Sequence, residues 1–224
     1  MGKELAYQII YFAAFSSLLP GLVIPLRWKQ FKPEQQWLAL LVGLSVVVEF
    51  AAYWIATQLK QPNTPLLHLF TPLEFALLLQ AFVVKQVVAR RTSWLMLGTL
   101  IIVAVMSALA WDDVSQAKSN TTARSLESIM LIILALRYFT LELGKIREQT
   151  SIQTASLADQ PMFWLNVAIL LYFPAGLLIF LFINWFLEPG SFSYTIFTVH
   201  ALLSILKNIF YAIALWVKPL PSTP

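Results

Sequence analysis

Apolar residues in this chain come in long, nearly unbroken stretches set apart by short polar ones. Seven such stretches can be drawn: 5–24, 37–58, 65–84, 93–111, 126–143, 162–186 and 193–216. Each is close to the roughly 20 residues that a helix needs to cross a hydrocarbon core. The pattern predicts an all-α, polytopic membrane protein, a seven-helix transmembrane bundle forming a single domain over 1–224. Pro20, Pro72 and Pro174 fall within stretches and predict kinks or local openings in helices one, three and six. The fourth stretch is flanked by Trp94 and Trp111 and contains no ionisable residue, which predicts a lipid-facing place at the rim.

The seventh stretch, SYTIFTVHALLSILKNIFYAIALW, breaks its own apolar pattern at His200, Ser204, Lys207, Asn208 and Tyr211. Spacings of four, three and four put His200, Ser204, Lys207 and Tyr211 on one helix face. An ammonium near the bilayer centre costs about 2.5 to 3.5 kcal/mol even on insertion scales. That face therefore points inward, and other helices are expected to bring Lys207 a counter-charge.

Composition agrees with a membrane class. The chain is 59% hydrophobic and only 12% charged, about half the charged share of a soluble domain, and its mean hydropathy is +0.74. There is no cysteine, which removes disulfides, thiolate nucleophiles and cysteine-ligated metals. The basic balance, pI near 9.4, resides in short loops, so it predicts orientation and no nucleic-acid partner. Lys3 is followed by Glu4 and no clean small-x-small site follows, so no signal peptide is expected.

Arg27, Lys29, Lys32, Lys85, Arg90, Arg91, Lys145, Arg147 and Lys218 fall on one side of the spans; Lys3, Lys60, Lys118 and Arg124 fall on the other. Nine against four predicts an external N-terminus and a cytoplasmic C-terminus. The longest loops, 112–125 outside and 145–160 inside, are polar. Asn120-Thr121-Thr122 forms a glycosylation sequon on the outer side.

Four charged groups lie deep within the spans. At about 1.5 Å per residue, Glu49 lies about 18 Å from the inner boundary of span two, and Glu74 about 14 Å below the outer boundary of span three. Arg137 lies about 17 Å deep in span five and Lys207 about 20 Å deep in span seven. In a core about 30 Å thick they share one level, and two carboxylates with two cations neutralise each other. Ser45, Glu49 and Tyr53 continue as a polar stripe on span two. Thr71 is one turn from both His68 and Glu74. Glu127 and Glu142, near the ends of span five, are expected to be solvated. Such groups either clamp helices together or line a cavity, and the candidate ligand-binding set is Glu49, His68, Glu74, Arg137, His200, Lys207, Asn208 and Tyr211. Two histidines alone make a poor metal site, so neither metal nor cofactor is expected. HExxH, GxSxG and P-loop motifs are absent, which argues against an enzyme.

Asn63, His68, Pro72 and Glu74, with Phe163-Trp164, Tyr172 and the run Asn208-Ile209-Phe210-Tyr211-Ala212, resemble a loose group of small bacterial seven-helix proteins of unassigned function. Similar segments form the membrane sensory part of some histidine kinases. The resemblance covers about the last two-thirds of the chain. It implies an inner-membrane, sensory or receptor-like module whose partners are the lipid bilayer and a signalling protein, since no kinase region is present. A small proton-linked transporter is the alternative expectation. A lysine in the seventh span also resembles microbial rhodopsins, which implies Lys207 as the retinal Schiff-base lysine and Glu74 as its counter-ion. However, span six lacks the rhodopsin-like aromatic and Tyr-Pro pattern, and span three lacks the arginine before the carboxylate.

Overall fold

The computed structural model describes residues 3–88, 90–109, 121–148, 157–186 and 191–218. All regular structure in them is helical: α1 (Lys3–Ser16), α2 (Leu18–Arg27), α3 (Pro33–Trp54), α4 (Thr64–Val84), α5 (Arg90–Leu109), α6 (Thr121–Glu148), α7 (Pro161–Phe186) and α8 (Ser191–Trp216). α1 and α2 are the two halves of one apolar rod, broken at Ser17. Pro20 has no N–H for the Ser16 carbonyl four residues back, and its ring crowds that carbonyl. The expected effect of Pro20 is thus a helix break, whereas Pro72 and Pro174 lie inside continuous α4 and α7.

Several ends are set by local chemistry. Pro33 opens α3 at the first helical position, where a missing N–H costs nothing. The Gln35 side chain there accepts from the Lys32 N–H at 3.1 Å. α3 finishes in a π-helical turn, Ile55–Leu59, and Lys60 then takes a left-handed φ of 53° that turns the chain toward α4.

Among the described residues five helical segments are long and apolar enough to cross a membrane: Glu4–Gln30, Pro33–Leu59, Thr64–Val84, Pro161–Ile179 and Thr195–Trp216. In α5 the apolar described run is the shorter Met96–Leu109. Every 18-residue window of α6 carries at least three charged side chains. The molecule is therefore a multi-pass α-helical membrane protein, with α5 and α6 distinguished from the plainly apolar spans. Trp111, Lys118 and Asn120 lie outside the described residues.

The helices pack as a ring in chain order, and α8 closes it by packing against α7 on one side and α1 and α2 on the other. At Gly21 on α2 a Cβ would come within 3.3 Å of Val46 on α3, so the missing side chain permits that close approach. α6 buries a helical stripe of Glu127, Leu131, Leu134, Ala135, Tyr138 and Glu142 and exposes Ile129, Ile133 and Leu136. Where α8 ends, Gln35 of α3 donates to the Ala214 and Val217 carbonyls at 3.0 and 3.2 Å. Those oxygens have no partner within their own helix. Arg27 lies over the Trp216 ring at 5.4 Å, tying α2 to the same end.

Candidate functional site

Five helices send polar side chains to one place inside the ring. Ser45 and Glu49 come from α3, Thr71 and Glu74 from α4, Arg124 from α6, Tyr172 from α7, and His200, Ser204 and Lys207 from α8. With Val48, Leu67 and Phe70 they line a cavity of about 210 Å³. Spacings of three and four aim them there: α3, α4 and α8 each contribute residues one turn apart, so a single face of each is polar. Thr71 is partly neutralised within its own helix, donating to the Leu67 carbonyl at 2.9 Å.

Glu74 is the electrostatic centre and is 2% exposed. Arg124 Nη1 donates to Glu74 Oε2 at 2.5 Å and to Glu127 Oε2 at 3.0 Å. Lys207 Nζ lies 3.8 Å from Glu74 Oε1. The same ammonium sits over the Tyr172 ring at 4.3 Å and the Tyr211 ring at 5.8 Å. Arg124 lies over Phe70 at 5.7 Å. Ring faces carry negative potential and attract desolvated cations by about 2 kcal/mol, so both cations are held by rings as well as by carboxylates. Tyr172 Oη and His200 Nε2 are 3.4 Å apart.

Glu49 is held differently. Its carboxylate interacts with the Ser17 side chain and feels Lys207 through space, yet Oε2 is buried with no hydrogen-bond partner. Glu49 also borders a crevice of about 10 Å³ between α1 and α3, beside Ala14, Phe15, Phe50 and Tyr53. The polar stripe expected on α3 thus divides: Ser45 and Glu49 face the cavity, whereas Tyr53 lies exposed against Tyr11 and Phe15.

The structure brings Glu49, Glu74, His200 and Lys207 together at the cavity. Tyr211 backs the site with its ring, and its hydroxyl has no hydrogen-bond partner. Three members of the set, His68, Asn208 and Arg137, lie elsewhere. His68 is buried against α5, with Nδ1 3.3 Å from the Ser107 carbonyl oxygen. Asn208 turns toward α1 and donates to Ser16 Oγ at 2.7 Å, fastening α8 to the break above α2.

The expectation for Arg137 requires correction. It is exposed on α6, off the buried stripe, and does not join the buried charges. Arg124 takes that role, although its place in the sequence assigned it to an outer loop. α6 begins at Thr121, so the last residues of that loop are helical, and the first turn lies deep enough to reach Glu74. Glu127, expected to be solvated, is fully buried because it is the second partner of Arg124. Glu142 is also buried, 2.7 Å from Lys145 and hydrogen-bonded by Gln160, which in turn accepts from Tyr138. An arginine and a glutamate three apart, ahead of an apolar run, were the available signal for the Arg124–Glu127 pair.

Among the described residues no three His, Cys, Asp or Glu side chains are grouped to hold a metal ion. The cavity offers acceptors at Glu49, Ser45 and Ser204 and donors at His200 and the hydroxyls, a set suited to holding a small polar molecule by hydrogen bonds and charge. No protein-family model, no curated protein and no solved structure matches the chain.

Proposed function

We propose that this chain is a receptor-like sensory module of the bacterial inner membrane. In this reading it crosses seven times, with the N-terminus outside and the C-terminus in the cytoplasm. It holds a small polar ligand among Glu49, Glu74, Arg124, Tyr172, His200 and Lys207, and a separate signalling protein reads the bound state. The observation that supports this most is the cavity itself, which gathers polar groups from five helices at one level of an apolar bundle. At about 210 Å³ it falls below the 300 to 1,000 Å³ usual for drug-sized ligands, so the ligand is small. A retinal chromophore, itself of drug size, exceeds that space, which disfavours the rhodopsin-like reading.

Glu49 supports the second reading, a proton-linked transporter, because it borders both the cavity and the α1–α3 crevice. The deciding experiment uses the purified protein in detergent and in proteoliposomes. Small polar metabolites are screened for a rise in melting temperature, and the hits are tested for accumulation in vesicles. A sensory module binds without accumulating; accumulation driven by a proton gradient selects the transporter. Ser204→Phe, which fills the cavity, is expected to abolish the thermal shifts. Shifts that survive it place the binding elsewhere and overturn the cavity reading.

A further inference from the structure

Among the described residues the buried cluster holds three carboxylates, Glu49, Glu74 and Glu127, and two cations, Arg124 and Lys207. Both cations already face a carboxylate. Arg124 bridges Glu74 and Glu127, and Lys207 approaches Glu74 beneath two tyrosine rings. Among the described residues no ion pair reaches Glu49, whose buried Oε2 lacks any hydrogen bond. With every group ionised the cluster is one negative charge in excess, at a depth where an unbalanced charge is expensive.

We infer that the cavity takes a small organic monocation, an ammonium, with Glu49 as its counter-ion; this rests on the reading of the cavity as a ligand site. An anionic ligand would double the excess charge, and a neutral one would leave it unchanged. A monocation cancels it, in a cavity that the Glu49 side chain lines. The surroundings suit an organic cation: the hydroxyls of Ser45 and Ser204 accept N–H donors, and Tyr172 walls the cavity. The groups facing Glu49 are Ser17 at the break between α1 and α2, Glu74 from α4, Arg124 from α6, Tyr172 from α7, and His200 and Lys207 from α8, with Phe15 of α1 on the crevice side. When the cavity is empty, a proton on one carboxyl restores neutrality, and the ammonium displaces it. Binding therefore releases about one proton per ammonium.

The test uses the full chain in detergent at constant ionic strength, with three probes of one size: propylammonium, propanol and propionate. Propylammonium is expected to raise the melting temperature, with propanol, propionate and sodium chloride giving no comparable shift. Calorimetry in buffers of different ionisation enthalpy is expected to show the proton release. Glu49→Gln is expected to lose both the shift and the release; should that variant fold poorly, the selectivity of the parent protein among the probes decides alone. Equal or greater stabilisation by propionate, propanol or sodium overturns the inference while leaving the cavity a binding site. No shift with any probe overturns both. A propylammonium shift unchanged in a folded Glu49→Gln variant refutes the role of Glu49.

Discussion

Arg124 and Glu74 are fifty residues apart in sequence and meet through a direct ion pair, with Glu127 on the same guanidinium nitrogen. One arginine in the first turn of α6 thus holds two buried carboxylates, from the next turn of α6 and the middle of α4. That geometry makes Arg124 the side chain whose loss costs most. Arg124→Gln leaves both carboxylates without their cation, and breaking a buried pair from one side costs about 3 to 5 kcal/mol. Adding Glu127→Gln restores the charge balance and is expected to recover part of the loss. Melting temperatures of the single and double variants in detergent measure both effects; an Arg124→Gln protein as stable as the parent contradicts the pairing.

What the sequence disclosed of this site depended on whether a residue's position followed from its own helix. His200, Ser204 and Lys207 are spaced for one face of one helix, so periodicity alone brought them together. Glu49 and Glu74 stood out because a carboxylate in an apolar span has few places to go. Arg124 was misplaced because its depth is set by how far α6 sinks relative to α4, which is a matter of tertiary packing. Arg137 was misplaced for the converse reason. Its depth along the helix was sensible, but it lies off the stripe of Leu131, Ala135, Tyr138 and Glu142 that α6 buries. Asn208 has the right depth as well and points to Ser16 because α1, not the cavity, lies on that side of α8.

The orientation of the chain can be checked independently of the site. With Arg124 drawn into the cluster, the outer set falls from four cations to three, Lys3, Lys60 and Lys118, against nine on the other side. The positive-inside bias is therefore strengthened. Reporter fusions after Arg91 and at the C-terminus are expected in the cytoplasm, and a fusion after Asp113 outside. An external C-terminus contradicts the seven-span reading.

Gln35 offers a stability test remote from the cavity. Its amide donates to two carbonyls at the end of α8, and its oxygen accepts from Lys32. Each net hydrogen bond contributes about 1 kcal/mol, so losing all three in Gln35→Ala is expected to cost about 3 kcal/mol. Hydrogen exchange should rise first in the last turn of α8. Unchanged protection there would show that solvent or lipid headgroups satisfy these carbonyls equally well.

Lys207 separates the two uses of the cluster. Lys207→Met removes one of two cations, leaving three carboxylates against Arg124 alone, and the excess grows from one negative charge to two. The expected loss is about 3 kcal/mol, the lower end for a broken buried pair, because the 3.8 Å contact is looser than those of Arg124. Either Glu49→Gln or Glu74→Gln restores the original balance on paper, but the two are not equivalent. Glu74→Gln also deprives Arg124 of its nearest carboxylate, whereas Glu49→Gln leaves the Arg124–Glu74–Glu127 bridge intact. The Lys207→Met/Glu49→Gln double variant should therefore be the more stable of the two, by melting temperature across all singles and doubles. Better rescue by Glu74→Gln would mean that Lys207 and Glu74 form a self-contained pair and that Glu49 does not feel the lysine. A Lys207→Met protein as stable as the parent would place the ammonium in a hydrated cavity, where water already compensates its charge.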